Sequence, residues 1–137
     1  MLARRTALIG LIRTAQLVAA LFLHGACGQW SSDTAQLRIT NVGTTPILRL
    51  SVLFPEDRVS FGDLAIGATS PYVEVPHGVY SYAAYRLEIG GALVTQPVID
   101  WVGEEPMVGS SFTYALDVNP NRSELQIVQL VSVTRDD

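Results

Sequence analysis

From Ala35 to Thr134 apolar and polar residues alternate with a period of two, and Gly, Pro or Asn breaks the alternation roughly every ten residues. Successive side chains of an extended strand point to opposite faces, so the pattern describes strands with one buried face. In Ser111–Val118, Phe112, Tyr114, Leu116 and Val118 alternate with Ser111, Thr113, Ala115 and Asp117. In Pro46–Phe54, the expected inward face carries Leu48, Leu50, Val52 and Phe54, and the opposite face carries Ile47, Arg49, Ser51 and Leu53. The same test places strands near Ala35–Asn41, Arg58–Ile66, Tyr72–Val75, Val79–Ile89, Ala92–Val102 and Glu124–Thr134. No helical periodicity of useful length appears. Ile89-Gly90-Gly91-Ala92 is a two-residue hairpin connection, because primed turns need positive φ. Pro76-His77-Gly78 and Asn119-Pro120-Asn121 read as further turns. Pro97 removes a ladder donor, which predicts an edge position or a bulge for its strand. The expected fold is all-β, an immunoglobulin-like or Greek-key β-sandwich of about seven to eight strands, with an eight-stranded barrel as the alternative.

The N-terminus follows different rules. Met1–Arg13 is basic, with Arg4, Arg5 and Arg13, and an apolar run from Ala15 to Leu23 ends at the small residues Gly25-Ala26-Cys27-Gly28. This is the anatomy of a secretory signal peptide. Arg13 interrupts the stretch from Ala7 to Ala26, which argues against a span of about 20 apolar residues. Leu23-His24-Gly25-Ala26-Cys27 resembles the bacterial lipobox, with His24 where Leu is usual, and this resemblance implies lipidation of Cys27. Cleavage after Gly28, discarding Cys27, is the alternative. The expected organisation is a signal peptide over residues 1–27, a tether over 28–34 and a β-domain over 35–137. Lipid on Cys27 would attach the chain to a membrane outside the cytoplasm, whereas cleavage after Gly28 would secrete it.

All 9 basic residues are arginines, and three of them precede Asp33, the first acidic residue. Beyond the signal segment six arginines face all 13 acidic residues, a net charge of −7. Arg38, Arg49, Arg58, Arg86, Arg122 and Arg135 are scattered in sequence, so no basic cluster offers a footprint for nucleic acid. One Cys and two His provide neither an internal disulfide framework nor a Cys/His zinc site. A domain of about 110 residues removes roughly two-thirds of its unfolded surface from water, so it needs no covalent staple.

Tyr72, Tyr80, Tyr82 and Tyr85 crowd the middle of the chain. Outward-facing aromatics make platforms for sugars or peptides, which singles out Tyr80, Tyr82 and Trp101 as ligand-binding candidates, against the alternative that they pack in the core. His77 is the only imidazole beyond the signal segment and reads as a solvated turn residue, since no Gly-x-Ser-x-Gly elbow accompanies it. Asp100, Glu104 and Glu105 in one loop, and Glu56-Asp57 in another, have the chemistry for acid–base hydrolysis or calcium ligation but lack the spacing of a calcium loop. Asn121-Arg122-Ser123 matches a glycosylation sequon and reads as a turn. No catalytic residue, metal or cofactor is expected.

The segment Phe61-Gly62 through Ser70-Pro71-Tyr72 to Val75-Pro76-His77-Gly78-Val79-Tyr80 resembles a phrase in bacterial cell-envelope domains of unknown function: Phe-Gly, then Ser-x-Tyr, then Val-Pro-x-Gly-x-Tyr. The resemblance implies an immunoglobulin-like sandwich at the cell envelope or secreted from it, and no activity or site. The expected role is therefore binding or structural. The expected partners are the membrane, through lipid on Cys27, and an envelope protein or glycan. A surface module that binds carbohydrate through exposed Tyr and Trp is the alternative, and a carboxylate-dependent hydrolase is the third reading.

Overall fold

The computed structural model describes residues 33–98 and 101–137. The signal segment, Cys27 and most of the tether lie outside them. The described chain is all-β, with eight strands: β1 (Ala35–Asn41), β2 (Ile47–Leu53), β3 (Arg58–Leu64), β4 (Val73–Val75), β5 (Ala84–Ile89), β6 (Ala92–Gln96), β7 (Ser111–Val118) and β8 (Val128–Arg135). They form two four-stranded sheets, ordered β4-β1-β7-β8 and β3-β2-β5-β6, so the expected sandwich forms rather than a barrel. Every pairing is antiparallel except β1 with β7, which run parallel from Gln36↔Ser111 to Asn41↔Leu116.

Alternation places the core. Leu37 and Ile39 of β1, Leu50 and Val52 of β2, Tyr85 and Leu87 of β5, and Phe112, Tyr114, Leu116 and Val118 of β7 are all buried between the sheets. Each such aliphatic side chain contributes about 1.5–3 kcal/mol by leaving water. Between the layers, the Gln96 side chain imitates a ladder rung: its Nε2 donates to Val128 O and its Oε1 accepts from Val128 N, both at 2.8 Å. This joins the edge strand β6 of one sheet to β8 of the other.

The inward face expected for β2 needs correction at its start. Ile47 is fully buried, whereas Leu48 is 40% exposed. The cause is a bulge, seen as register shifts between Ile47 and Leu50 against β3 and between Leu48 and Ser51 against β5. Arg49 turns the chain there with φ of 52°, and its N–H donates to Asp63 Oδ1 at 2.8 Å. An extra residue in one strand reverses the faces on either side of it. Elsewhere, residues 79–83, expected to open β5, form a loop in which only Val79 makes a bridge, to Met107. The β6 ladder stops at Gln96, before Pro97, and β6 is an edge strand. Residues 119–127 form a turn rather than the start of β8, held by Arg122 N donating to Asn119 O and Gln126 N to Ser123 O.

Candidate functional site: an aromatic cluster at the tether end

Pro76 and Gly78 fold the chain sharply after β4: Gly78 N donates to Val75 O at 3.1 Å, with Gly78 at φ of 87°. A side chain at Gly78 would meet Met107 O at 2.8 Å and Val108 Cγ1 at 2.7 Å, so glycine alone lets the two loops touch. Beyond the turn, Val79 and Met107 exchange both backbone hydrogen bonds. This bridge seats residues 79–83 against the 101–109 loop and brings together side chains far apart in sequence.

The three aromatics singled out as ligand-binding candidates meet there. Trp101 stacks on Tyr82 with ring centroids 5.1 Å apart and planes at 24°, and it meets Tyr80 edge to face at 5.2 Å. Tyr80 in turn stacks on Phe54 at 5.7 Å, and Phe54 packs edge-on against the buried Tyr114 at 6.3 Å. These separations are those at which aromatic pairs attract. The Tyr114 hydroxyl donates to the Tyr80 carbonyl, so the cluster is anchored to β7. Tyr80, Tyr82 and Trp101 are all half-buried, while the adjoining Val102 is 87% exposed. The other two tyrosines lie elsewhere. Tyr85 is in the core, and Tyr72 lies under the Arg38 guanidinium and donates to Asp136 Oδ2 at 2.7 Å.

An acidic cleft of about 380 Å³ adjoins the cluster, lined by Asp33, Glu56, His77, Tyr80 and Val108 among others. His77 lies in the expected turn with its side chain 55% exposed, and it is held by two carboxylates. Asp57 accepts from its backbone N–H at 2.9 Å and lies 3.0 Å from its Nδ1, and Nε2 is 3.5 Å from Glu56 Oε2. The hydrogen bond to Asp57 chiefly raises the imidazole pKa above its ordinary value, partial desolvation opposes it, and the charges of Asp57, Glu56 and Asp33 add to the rise. Desolvation, helped by Glu56 and Asp57, also raises the Tyr80 phenol. Both ring nitrogens of His77 thus face carboxylates, which favours the protonated ring.

Of the loop carboxylates, Glu104 Oε2 accepts from Ser81 Oγ at 2.9 Å, Glu105 is exposed, and Asp100 lies outside the described residues. Among the described residues no group of three or more His, Cys, Asp or Glu is placed to hold a metal ion. Asn121 lies in a turn, its N–H donating to Asn119 Oδ1 at 2.9 Å.

The cluster sits beside the residues that lead into β1: Gly109 N donates to Thr34 O at 2.7 Å, and Asp33 lines the cleft beside Tyr80. Sequence reasoning singled out Tyr80, Tyr82 and Trp101 but did not connect them with Phe54 and Tyr114, or Asp57 with His77, because no local spacing links these residues. The class defined by fold and site is a β-sandwich with an aromatic and acidic loop end. No protein-family model, curated protein or solved structure matches the chain.

Proposed function

We propose that this chain is exported and held at the bacterial envelope by lipid on Cys27, and that its sandwich serves in binding or structure without catalysis. The signal-like N-terminus and the lone Cys27 at the end of its apolar run support export and anchoring. The observation that carries the binding role is the meeting of Trp101 with Tyr80 and Tyr82 beside the tether. Seven residues, 28–34, separate Cys27 from β1. Fully extended they reach about 25 Å, which keeps the aromatic end close to the membrane surface. Replacing Cys27 by Ala is expected to release the protein from the membrane fraction, whereas unchanged retention would indicate an uncleaved N-terminal anchor instead.

The ring cluster also favours a second reading, a carbohydrate-binding or adhesin-like module. Sugars present C–H faces to aromatic rings and hydroxyls to carboxylates, and both kinds of group meet here. On a panel of neutral and amino-sugar oligosaccharides, Trp101→Ala is expected to weaken the strongest interaction about tenfold, the scale of one lost aromatic contact. Equal binding by this variant and the parent would remove the cluster from consideration.

A further inference from the structure

The arginines that look scattered in sequence converge on the outer face of the second sheet. Ser51 of β2 pairs with Ser60 of β3 on one side and with Arg86 of β5 on the other, and Arg58 stands one row along, opposite Leu53. Two strand spacings, about 10 Å, separate β3 from β5, so Arg58 and Arg86 flank Ser51 from either side. The β2 bulge turns Arg49 outward onto the same face, with its guanidinium 3.5 Å from Glu88. Together these side chains line an open basin of about 320 Å³.

Charge, polarity and backbone strain each mark this basin. Arg38 pairs with Asp136, Arg49 with Glu88, Arg122 with Asp117 and Arg135 with Asp137. Arg58 and Arg86 alone have no carboxylate partner among the described residues, in a chain with 13 acidic side chains against 9 basic. Ser51 is only 7% exposed, and it lines the floor of the basin between the arginines. Arg49 is the one non-glycine at positive φ among the described residues. That conformation is costly for any L residue and free for glycine, and such outliers cluster where a site uses them.

We propose that this basin binds a phosphate ester from solution, its terminal oxygens held by the guanidinium groups of Arg49, Arg58 and Arg86 and by the hydroxyls of Ser51 and Ser60. A phosphomonoester carries a charge of about −1.5 to −2 and three strong acceptor oxygens at neutral pH, which matches three converging donors. A carboxylate would leave a guanidinium unused. A bilayer surface fits less well, because the arginines line a hollow and Glu88 stands between the exposed Leu48 and Leu93 on the same face. The site is independent of the aromatic end and of what becomes of Cys27.

Calorimetric titration of the full chain in neutral detergent, with inorganic phosphate and with glycerol 1-phosphate, tests the assignment. Saturable binding is expected, tightening for glycerol 1-phosphate as pH rises through about 6, where a phosphomonoester takes its second charge. Arg58→Gln and Arg86→Gln should each weaken it about tenfold, the scale of one charged hydrogen bond. Arg49→Gly should weaken it similarly while raising Tm, because glycine relieves the bulge. Arg135→Gln, on the other sheet, should bind as the parent does, and the far-UV circular dichroism spectra should coincide. Equal binding by the parent and the Arg58→Gln/Arg86→Gln double variant would overturn the proposal. So would a lack of saturable binding to either phosphate, or binding confined to micelles doped with phosphatidylglycerol.

Discussion

At the scale of single residues, two pairs of groups set the chemistry of the loop end and the core. Protonated His77 lies between Asp57 and Glu56, and its folded pKa is raised above the unfolded value of about 6.5. Its contribution to stability is therefore fully present below about pH 6.5 and is lost as pH rises through the folded value. His77→Gln keeps the backbone N–H bond to Asp57 and removes only the ring. The Tm difference between parent and variant is expected to be largest in mild acid and to shrink on the alkaline side; a difference independent of pH would contradict the pairing. The second pair is Tyr85 and Tyr114, both buried and both with phenols raised by burial. The Tyr114 hydroxyl donates to Tyr80 O, while the Tyr85 hydroxyl has no partner among the described residues. Tyr114→Phe should cost about 1 kcal/mol, and Tyr85→Phe should cost nothing or stabilise, as denaturant midpoints would show.

At the scale of elements, the Gln96 side chain ties the edge of one layer to the edge of the other. Gln96→Ala leaves the buried N–H and C=O of Val128 without partners, and it should cost about 1–3 kcal/mol with faster amide exchange at Val128. Nothing local predicts this contact. What alternation does reveal is a strand's existence and, where the ladder is regular, its face: Phe112 to Val118 lie as their spacing implies. It fails in β2 because the bulge at Arg49 inserts a residue, and the apolar pattern of Ile47, Leu48 and Leu50 fits either register until β3 and β5 choose one. It fails again at Val79–Ala83, where apolar residues alternate but serve a loop, because Val79 bonds to Met107 rather than to a strand. The aromatic candidates were legible as residue types. Their meeting was not, since it depends on Gly78 admitting a loop from more than twenty positions away.

At the scale of the whole molecule, β1 pairs in parallel with β7 at the centre of one sheet, and β1 starts only two residues after Asp33, which lines the acidic cleft. The chain thus enters the domain beside the aromatic and acidic end, while the arginine basin lies on the outer face of the second sheet. Attachment through Cys27 would hold the loop end close to the membrane and leave that sheet face open to solutes. Intact-mass analysis of the mature protein purified from its native envelope decides whether Cys27 carries that attachment. A lipid anchor gives a mass that begins at Cys27 and carries acyl chains. A lipid-free mass beginning near Gln29 would contradict it and make the chain a freely secreted domain.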